Sequence, residues 1–507
     1  MKKKIIDFSN IEKILKPIKR KGKKIVCCHG VFDLLHIGHL KHFKSAKKYG
    51  DILIVSVTPD KFVQKGFGRP YFNSEQRMES LASIEVIDFV VLNNSANAVN
   101  IVKKIKPNFF VKGPEYKIFE EDITGEIKNE ELAVKKNGGK LIFTDDLIYS
   151  SSSILNQSGN TYNSDQKKFT DKIKSKINLI SFNQQIKKLQ DLKVLVLGEV
   201  IIDKYVFCEA LGKSGKEPHL VLRDLREEVY PGGVIAIARN IIDFCKKVTI
   251  LSMLGQHKEY EKYIKKILPK NIKTQFLYKS KSPTIVKKRY IEHVSNNKIL
   301  GVYTMNDSML NKQEELIFEK KVLKEIKKYD LVIVSDYGHG LITKKLAKLL
   351  CKNSKFLALN AQANASNVGY HTIQKYKNVD CVVMNETELR HELRDKNEKI
   401  SILTKKLASM INITNLIVTR GNDGAILYNS DNKKYFSCPA FALKVVDKVG
   451  AGDSMLSIIS ILLKLKFKTM ISLFLGSLAG AISVREMSNK VPVDKTELLK
   501  YFNHILK

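Results

Sequence analysis

The chain contains 507 residues, of which 44% are hydrophobic and 27% are charged. This length suits about two to four globular domains with buried cores. No apolar run of about 18 residues is free of charge, and the basic N-terminus has no apolar signal core, so we expect neither membrane insertion nor a secretory peptide. The seven cysteines lack CxxC spacing, which indicates reduced, buried thiols in a cytoplasmic protein rather than a zinc site or disulfides.

The formal net charge of +35 has two interpretations. A basic field can attract nucleic acid or an anionic membrane surface. The lysines are spread along the whole chain, however, and the sequence has no Trp and no alternation of basic and aromatic residues. We therefore predict a lysine-rich surface without a nucleic-acid partner. Such a field also favours polyanionic substrates such as nucleoside triphosphates.

Short apolar strands alternate with amphipathic helices over residues 23–149. The predicted strands are 24–30, 51–58, 88–93, 108–113 and 140–146, and the predicted helices are 39–49, 74–85, 96–105 and 129–137. This order predicts an α/β fold with a parallel, Rossmann-like sheet and helices on both of its faces.

The polar stretch 157–190 is predicted to be a linker that runs into a leading helix, with a helical hairpin between the domains as the alternative. The α/β alternation then resumes, and buried strands are predicted at 193–203, 247–255, 330–336, 355–360, 381–385 and 415–421. The apolar stretch 471–484 is too short to span a membrane and is predicted to be a buried helix. The predicted domains are therefore 1–156 and 191–507.

A predicted strand turns through Gly30 into a helix that carries the string His36-Ile37-Gly38-His39. The two histidines lie on the same side of the turn, and Gly38 lets a ligand approach the backbone closely. Helix N-terminal amides bind anions, so this site suits a triphosphate that is attacked in line at its α-phosphate. Imidazoles that donate hydrogen bonds would stabilise the charge that develops there. A single histidine at this position would more often be a capping or packing residue.

Together with Phe32 and Asp33, this string resembles the signature of the cytidylyltransferase-like nucleotidyltransferases. The resemblance implies that His36 and His39 are catalytic and that nucleotide or phosphate is bound by Gly30, Phe32, Asp33 and Gly38. Segments 66–77, 111–116 and 149–157 also resemble this family. They imply phosphate contacts from Lys65, Arg69, Arg77, Ser151 and Ser152, and a sugar contact from Lys112. The serines could instead simply cap a helix. Members of the family take ATP or CTP, so the nucleotidyl donor stays open.

Residues 445–457 contain Gly450-Ala451-Gly452-Asp453 at the point where a loop opens a helix. The backbone amides of this turn can hold an anion, and Asp453 can accept a proton from an attacking hydroxyl. The pattern D-x-x-G-A-G-D resembles that of ribokinase-like sugar kinases of the phosphofructokinase-B type. The resemblance implies phosphoryl transfer from ATP, with Mg²⁺, to a sugar or sugar phosphate.

Further segments resemble this kinase family in order along residues 193–490. They imply sugar contacts from Asp203, Gly232 and Gly233, and an indirect Mg²⁺ site at Asn385 and Glu388. They also imply nucleotide contacts from Thr419, Gly421, Gly424, Gly450, Ala451 and Gly452. Two positions depart from the family, because Ala236 stands in place of a sugar-binding Asn and Asn360 stands where an Asp is common. A domain that binds a sugar without phosphorylating it is therefore an alternative.

The two predicted activities are consecutive, since a kinase would form a sugar 1-phosphate that the transferase joins to a nucleotide. The pairing resembles the bifunctional heptose kinase and adenylyltransferase family of bacterial surface-polysaccharide synthesis, with the usual domain order reversed. It implies an ADP-heptose-like product from a heptose 7-phosphate type of substrate, with release of pyrophosphate. The alternatives are a CTP-dependent enzyme that makes a CDP-sugar or CDP-polyol, and a non-catalytic regulator that binds nucleotide or nucleic acid. Ribokinase-like domains often pair, so a homodimer is compatible with the resemblance.

Overall fold

The computed structural model describes residues 4–63, 69–116, 126–144 and 163–506. The chain divides into two compact units. The first consists of Met1–Asn183 with Leu499–Lys507 and is called the N-terminal unit below; the second, Gln184–Leu498, is called the C-terminal unit. Both are built from parallel strands and helices, which confirms the predicted α/β class. The limits of the predicted domains, 1–156 and 191–507, stay a prediction.

A six-stranded sheet forms the centre of the N-terminal unit, in the order β1-β4-β3-β2-β5-β6. Its strands are β1 Ile5–Ile6, β2 Ile25–Gly30, β3 Ile52–Val57, β4 Phe89–Leu92, β5 Phe109–Lys112 and β6 Lys140–Phe143. All of its strand pairs are parallel, which requires crossover connections. The five predicted strands and their parallel pairing are confirmed, except that residues 145 and 146 of the last predicted strand lie outside the described residues; their order within the sheet was not predicted. The short edge strand β1 was not predicted, because two residues are too few to show a period.

Helices cover both faces of this sheet, as predicted. They are α1 Ile11–Arg20, α2 Ile37–Lys47, α3 Ser74–Ala82, α4 Val99–Ile105 and α5 Glu126–Lys136. One core packs α1, α4 and α5 against the sheet, and the other packs α2 and α3 against the opposite face. Adjacent residues of β2 therefore belong to different cores, since Cys27 lies in the first and Cys28 in the second.

The polar stretch after residue 162 contains two helices, α6 Ser164–Lys174 and α7 Leu179–Lys188. The prediction of a linker that runs into one leading helix was therefore incomplete. A capping box between Asn163 and Gln166 starts α6, and this N-x-x-Q pattern was a signal that the sequence contained. Helix α6 buries Phe169 and Ile173 four residues apart, which gives an otherwise polar segment an apolar face.

The C-terminal unit contains a nine-stranded sheet in the order β11-β10-β7-β14-β15-β16-β17-β18-β19. Its strands are β7 Lys193–Gly198, β10 Lys247–Gly255, β11 Ile272–Lys279, β14 Leu331–Asp336, β15 Leu357–Ala361, β16 Val379–Asn385, β17 Ile413–Thr419, β18 Ala425–Asn429 and β19 Lys434–Cys438. All pairs from β11 to β17 are parallel, and the last two pairs are antiparallel. The helices of this unit are α8 Val234–Ile241, α9 Glu261–Ile267, α10 Lys312–Ile326, α11 Lys344–Asn353, α12 Glu386–Leu393, α13 Ile400–Ile411, α14 Ala451–Lys464 and α15 Thr469–Ser483. The last helix, α16 Lys495–Leu506, begins in this unit and ends within the segment Leu499–Lys507 of the N-terminal unit.

A second, four-stranded sheet of the same unit has the order β13-β12-β8-β9. Its strands are β8 Val200–Lys213, β9 Leu220–Gly233, β12 Val286–Glu292 and β13 Lys298–Thr304. This sheet was not predicted, and the predicted strand 193–203 is in fact broken at Glu199. Gly198 has a φ of +146°, and a Cβ there would lie 2.0 Å from the Ser335 carbonyl oxygen. The chain therefore leaves the large sheet at this glycine and continues as β8 of the small sheet.

Several composition-based predictions are also met. Helix α15 is buried along most of its length, as predicted for the apolar stretch 471–484. All seven cysteines are free thiols, and six of them are buried. Within the described part of the chain, no helix combines the length and apolar character needed to cross a bilayer.

Candidate active sites

The Gly450–Asp453 turn opens α14, which packs on the central strands β14, β15 and β16 of the large sheet. Gly450 caps the helix with a φ of +90°, in the left-handed region that favours glycine. A Cβ at this position would lie 2.1 Å from Oδ1 of Asn489, so no larger residue fits. The amides of the first turn of a helix have no carbonyl partner within that helix. The turn is therefore suited to hold an anion, as predicted.

Asp453 lies in this first turn and is buried. The Tyr337 hydroxyl donates a hydrogen bond of 2.8 Å to its Oδ2. Burial raises the pKa of Asp453 to about 7, and the nearby charge of Asp203 acts in the same direction. A carboxyl with a pKa near the working pH combines a useful population of base with a strong tendency to take up a proton. This is the property that the predicted base requires.

A cavity of about 620 Å³ opens in front of the turn, a size that suits a small-molecule site. The predicted residues that line it are Asp203, Gly233, Asn385, Glu388, Thr419, Gly421, Gly424, Gly450, Ala451, Gly452 and Asp453. They come from segments as far apart as β8 and α14, so the fold brings the predicted kinase residues together. Their individual roles stay predictions.

Two cations that the sequence analysis did not single out face Asp203. Strand β12 pairs with β8 in parallel, with Lys287 opposite Asp203 and Arg289 two residues further on the same face. Arg289 forms an ion pair with Asp203, and both cations line the cavity. Lys287 is 6% exposed, and burial lowers its pKa. The basic run Lys287-Lys288-Arg289 was the available signal, because its first and third residues must face the same side of a strand.

The two glycines at the end of β9 allow this strand to close onto β8. Gly233 has a φ of +57°, and a Cβ on it would lie 2.2 Å from the Glu199 carbonyl oxygen. A Cβ on Gly232 would lie 2.7 Å from Oδ2 of Asp203. Gly232 therefore leaves room for the Asp203 carboxylate, whereas Gly233 lines the cavity itself.

Asn385 and Glu388 form a reciprocal capping box at the start of α12. The Asn385 side chain accepts from the Glu388 amide, and Glu388 accepts from the Asn385 amide at 2.8 Å. Burial raises the pKa of Glu388 to about 7. Both side chains also line the cavity, so a capping role and an indirect role at Mg²⁺ are compatible. One carboxylate and one amide oxygen fit a Mg²⁺ ion that takes its other ligands from water and phosphate.

The two departures from the kinase pattern have different surroundings. Ala236 is buried in α8 and is not a lining residue of the cavity. Asn360, the last but one residue of β15, lines the cavity, and its Nδ2 lies 3.6 Å from a Cβ placed on Gly452. Its buried Oδ1 has no hydrogen-bond partner among the described residues. Asn360 therefore offers an amide beside the anion-holding turn, where an Asp would add negative charge.

In the N-terminal unit, His36 caps α2. Its Nδ1 accepts a hydrogen bond of 3.1 Å from the Gly38 amide. A neutral imidazole that accepts through Nδ1 carries its proton on Nε2, and this is the donor that a phosphate oxygen requires. The ring of His39 stacks on that of His36, with their centroids 3.9 Å apart. The two predicted catalytic histidines are thus adjacent at a helix N-terminus.

Gly30 and Phe32 lie next to the two histidines, and the Phe32 ring packs between Gly30 and His39. Phe32 has a φ of +52°, and its ring lies 2.9 Å from a Cβ placed on Gly30. The same ring meets His39 edge-on, with centroids 5.5 Å apart. Phe32 therefore packs against His39, and Gly30 makes room for the Phe32 ring; the predicted contact of both residues with nucleotide stays a prediction.

Asp33 and Arg77 also make internal contacts, and their predicted contacts with nucleotide or phosphate stay predictions. Both oxygens of Asp33 accept backbone amides, from Tyr71 at 2.8 Å and from Phe72 at 2.9 Å. Arg77 is 1% exposed. Its guanidinium donates to the Phe72 and Thr58 carbonyls, at 3.0 and 2.8 Å. These bonds fix the loop after residue 69 and leave Arg77 turned into the protein.

The remaining predicted residues of this unit divide into three groups. Arg69 lies 3.7 Å from Asp33 and is almost fully buried. Lys112 forms a buried ion pair with Glu130 at 2.7 Å, and its predicted sugar contact stays a prediction. Lys65, Ser151 and Ser152 lie outside the described residues.

Folds and sites of these kinds define a carbohydrate kinase joined to a nucleotidyltransferase-like domain. Residues 191–496 match the model of the pfkB family of carbohydrate kinases, and residues 27–158 match the cytidylyltransferase-like model. The first match covers more than half of the chain. The chain therefore belongs to the pfkB carbohydrate kinase family and carries a cytidylyltransferase-like domain before it.

Relatives named bifunctional protein HldE match parts of the chain. The protein from Campylobacter jejuni is 27% identical over 305 residues, which are 59% of this chain and 62% of the relative. The protein from Aliarcobacter butzleri is 40% identical over 126 residues, which are 24% of this chain and 26% of the relative. In each case the chain spans less than two thirds of the relative's length.

A solved structure supports the fold of the C-terminal unit. The phosphofructokinase-2 of Escherichia coli in complex with potassium aligns with a TM-score of 0.52 and 16% identity, over 62% of this chain and 100% of that one. At this identity the similarity shows the fold alone.

Proposed function

We propose that the chain activates a sugar in two steps. The C-terminal unit would phosphorylate a sugar phosphate of the heptose 7-phosphate type at its anomeric oxygen. The N-terminal unit would then join the sugar 1-phosphate to a nucleotide, which gives an ADP-heptose-like product and pyrophosphate. The observation that carries this proposal is the cavity in which Asp453, with a pKa of about 7, meets Lys287 and Arg289. The name of the HldE relatives, which describes them as bifunctional, also supports it.

In the kinase step, the ionised carboxylate of Asp453 takes the proton of the anomeric hydroxyl. The oxygen attacks the γ-phosphorus of ATP, the bond from that phosphorus to the β,γ-bridging oxygen breaks, and ADP leaves with the electron pair. The amides of the Gly450–Asp453 turn stabilise the charge on the transferred group. The hydrogen bond from Tyr337 orients the carboxylate. Mg²⁺ bound near Asn385 and Glu388 would neutralise phosphate charge.

The two cations on β12 give the cavity its preference for an anionic sugar. A buried ammonium and a buried guanidinium are unfavourable without anions nearby. Asp203 supplies one negative charge, through its ion pair with Arg289. The phosphate of a sugar phosphate would supply the rest, while Asp203 contacts hydroxyls of the sugar. A neutral sugar would leave the charge of Lys287 uncompensated and should bind more weakly.

In the transferase step, an oxygen of the sugar 1-phosphate attacks the α-phosphorus of the nucleoside triphosphate. The bond to the α,β-bridging oxygen breaks, and pyrophosphate leaves with the electron pair. Nε2 of His36, with His39 stacked beside it, would donate to the oxygens on which negative charge develops. ATP is the proposed nucleotidyl donor, and the cytoplasm is the proposed location.

The test measures both activities of the full chain separately. ADP formation is followed with Mg-ATP and heptose 7-phosphate, and pyrophosphate release with heptose 1-phosphate and either ATP or CTP. Asp453→Asn should remove ADP formation only, and the double variant His36→Ala/His39→Ala should remove pyrophosphate release only. Pyrophosphate release with CTP but not with ATP would mean that the product is a CDP-sugar and not an ADP-sugar. If the wild-type protein showed neither activity with any of these substrates, the proposal would be refuted.

A further inference from the structure

A second cavity of the C-terminal unit shares no lining residue with the kinase cavity. Its volume is about 590 Å³, which suits a small molecule. Helix α11 forms one wall, and the segment 372–378 forms the other. Five of its nine lining residues are lysines, whereas about one residue in six of the whole chain is Lys or Arg. The general lysine richness of the chain does not account for such an enrichment.

Three of these lysines, Lys344, Lys348 and Lys352, recur at every fourth position of α11. Residues at this spacing lie one above the other on a helix, where like charges repel. Among the residues that the structure describes, no carboxylate lies within ion-pair distance of any of the three. The neighbouring Lys345, which does not line the cavity, is compensated by an ion pair with Glu319 at 2.6 Å.

The opposite wall adds Lys375 and Lys377. Lys375 is paired with Asp336 at 2.6 Å, and Lys377 donates to the Met410 carbonyl at 2.8 Å. No acidic residue is among those that line the cavity. Glu392 lies behind this wall, but its carboxylate already accepts hydrogen bonds from a hydroxyl, a backbone amide and a side-chain amide there. Lys344, Lys348 and Lys352 are exposed, and the cavity lining therefore carries a net positive charge that attracts an anion.

The lining also restricts the kind of anion. It includes no aromatic ring on which a nucleobase could stack. Lysine ammonium groups bind phosphate as point charges and do not require a planar, bidentate partner. We propose that this cavity binds a pyrophosphate group, either as inorganic pyrophosphate or as the phosphate chain of a nucleoside triphosphate. This binding does not depend on the reactions proposed above, although the transferase step would release the first anion and consume the second.

Cys351 provides a local probe of occupancy. It lines the cavity, and it is partly exposed whereas the other six cysteines are buried. The backbone amide of Lys377, on the opposite wall, donates a hydrogen bond of 3.4 Å to Sγ of Cys351. Modification of Cys351 by N-ethylmaleimide, followed by peptide mass mapping of the full chain, therefore reports on access to this cavity. Ionic strength must be held constant, because salt screens exposed charges.

We expect inorganic pyrophosphate near saturation to slow the modification of Cys351 by about fivefold or more, as four-fifths occupancy would require. Sulfate at equal ionic strength should have a much smaller effect. Protection by ATP as well as pyrophosphate would identify a nucleotide as a source of the ligand, and protection by pyrophosphate alone would identify the free anion. Both outcomes support the site. Equal slowing by sulfate and pyrophosphate would overturn the proposal.

The triple variant Lys344→Gln/Lys348→Gln/Lys352→Gln should lose the protection by pyrophosphate. Lys348→Gln alone, at the centre of the row, should weaken it and serves as the second variant if the triple variant does not fold. Protection that is unchanged in both variants would show that the anion acts elsewhere.

A matched control removes the same charge from a different helix. Lys320, Lys324 and Lys327 occupy exposed positions on and just after α10 at nearly the same spacing. The variant Lys320→Gln/Lys324→Gln/Lys327→Gln should keep the full protection of Cys351. Equal loss in this control and in the α11 variant would mean that net charge, not the cavity, is responsible, and would overturn the proposal.

Discussion

Replacement of Asp453 by Asn tests the claim that burial controls the charge of this carboxyl. The pKa of Asp453 is about 7 in the folded chain, against an ordinary value of 3.8. The raised pKa means that the protonated carboxyl is favoured in the folded chain. Its contribution to the free energy of unfolding is fully present below pH 3.8 and is lost as the pH rises through 7. The free energy of unfolding therefore falls by roughly 4 kcal/mol between these two pH limits, at about 1.4 kcal/mol for each pKa unit. Relaxation and water penetration make this an upper limit.

Asn at this position has nearly the same shape, can accept the hydrogen bond from Tyr337, and carries no charge. We therefore expect Asp453→Asn to be more stable than the wild type at pH 8 by up to about 4 kcal/mol, and by less than half of that at pH 5. For a unit as long as Gln184–Leu498, the gain at pH 8 corresponds to a Tm increase of roughly 6 °C. The same variant should lose ADP formation by about 10²–10⁴-fold.

Calorimetry of the full chain at both pH values measures this difference, with Asp447→Asn as the matched control. Although burial acts to raise the pKa of Asp447, hydrogen bonds from Lys298 and Tyr205 hold it below the ordinary value. The control substitution, six residues earlier in the loop that leads into α14, should therefore lower Tm at pH 8. An Asp453→Asn protein that is no more stable than the wild type at pH 8, or that gains equally at pH 5, would refute the reasoning.

Three further predictions concern the two sites. His36→Ala/His39→Ala should lower pyrophosphate release by about 100-fold or more, because two donors to the transition state are lost; an equal fall in ADP formation would contradict separate sites. Gly450→Ala should abolish ADP formation, since the added Cβ would lie 2.1 Å from Oδ1 of Asn489; retained activity would argue against the turn as the anion site. Arg77→Ala should destabilise the N-terminal unit by about 3 kcal/mol in urea denaturation, because buried acceptors lose their donor. A fall in pyrophosphate release at unchanged stability would instead support the original prediction of a phosphate contact.

Local chemistry explains why much of both sites was predictable. A helix N-terminus that begins with Gly450 or with His36 depends on a few consecutive residues, and its free amides follow from helix geometry. The strands that lead into both turns are apolar runs, and their order implies parallel pairing. The capping box of Asn385 and Glu388 is likewise a pattern of residues three apart.

Charged side chains were the least predictable part. Arg77 and Arg289 are both arginines near a predicted site, yet Arg77 donates to the Phe72 and Thr58 carbonyls while Arg289 faces the cavity. Lys112 and Lys287 differ in the same way, because Lys112 has a buried ion pair with Glu130. A residue type and its neighbours in sequence do not tell which acceptors come within reach. The interruption of the predicted strand 193–203 after Gly198 shows the same limit for strands, since it depends on the close approach of Ser335 to this glycine.

The sequence by itself determined the α/β class, the succession of strands and helices, and the helix starts at His36 and Gly450, because each of these depends on contacts between near neighbours in the chain. Only the tertiary structure decided what surrounds those helix starts. The register of β12 against β8 sets Lys287 and Arg289 beside Asp203, and Tyr337 reaches Asp453 across 116 positions of sequence. The pKa of Asp453 and the lysine-lined cavity depend on burial and on summed charge, which exist only once distant segments have packed together.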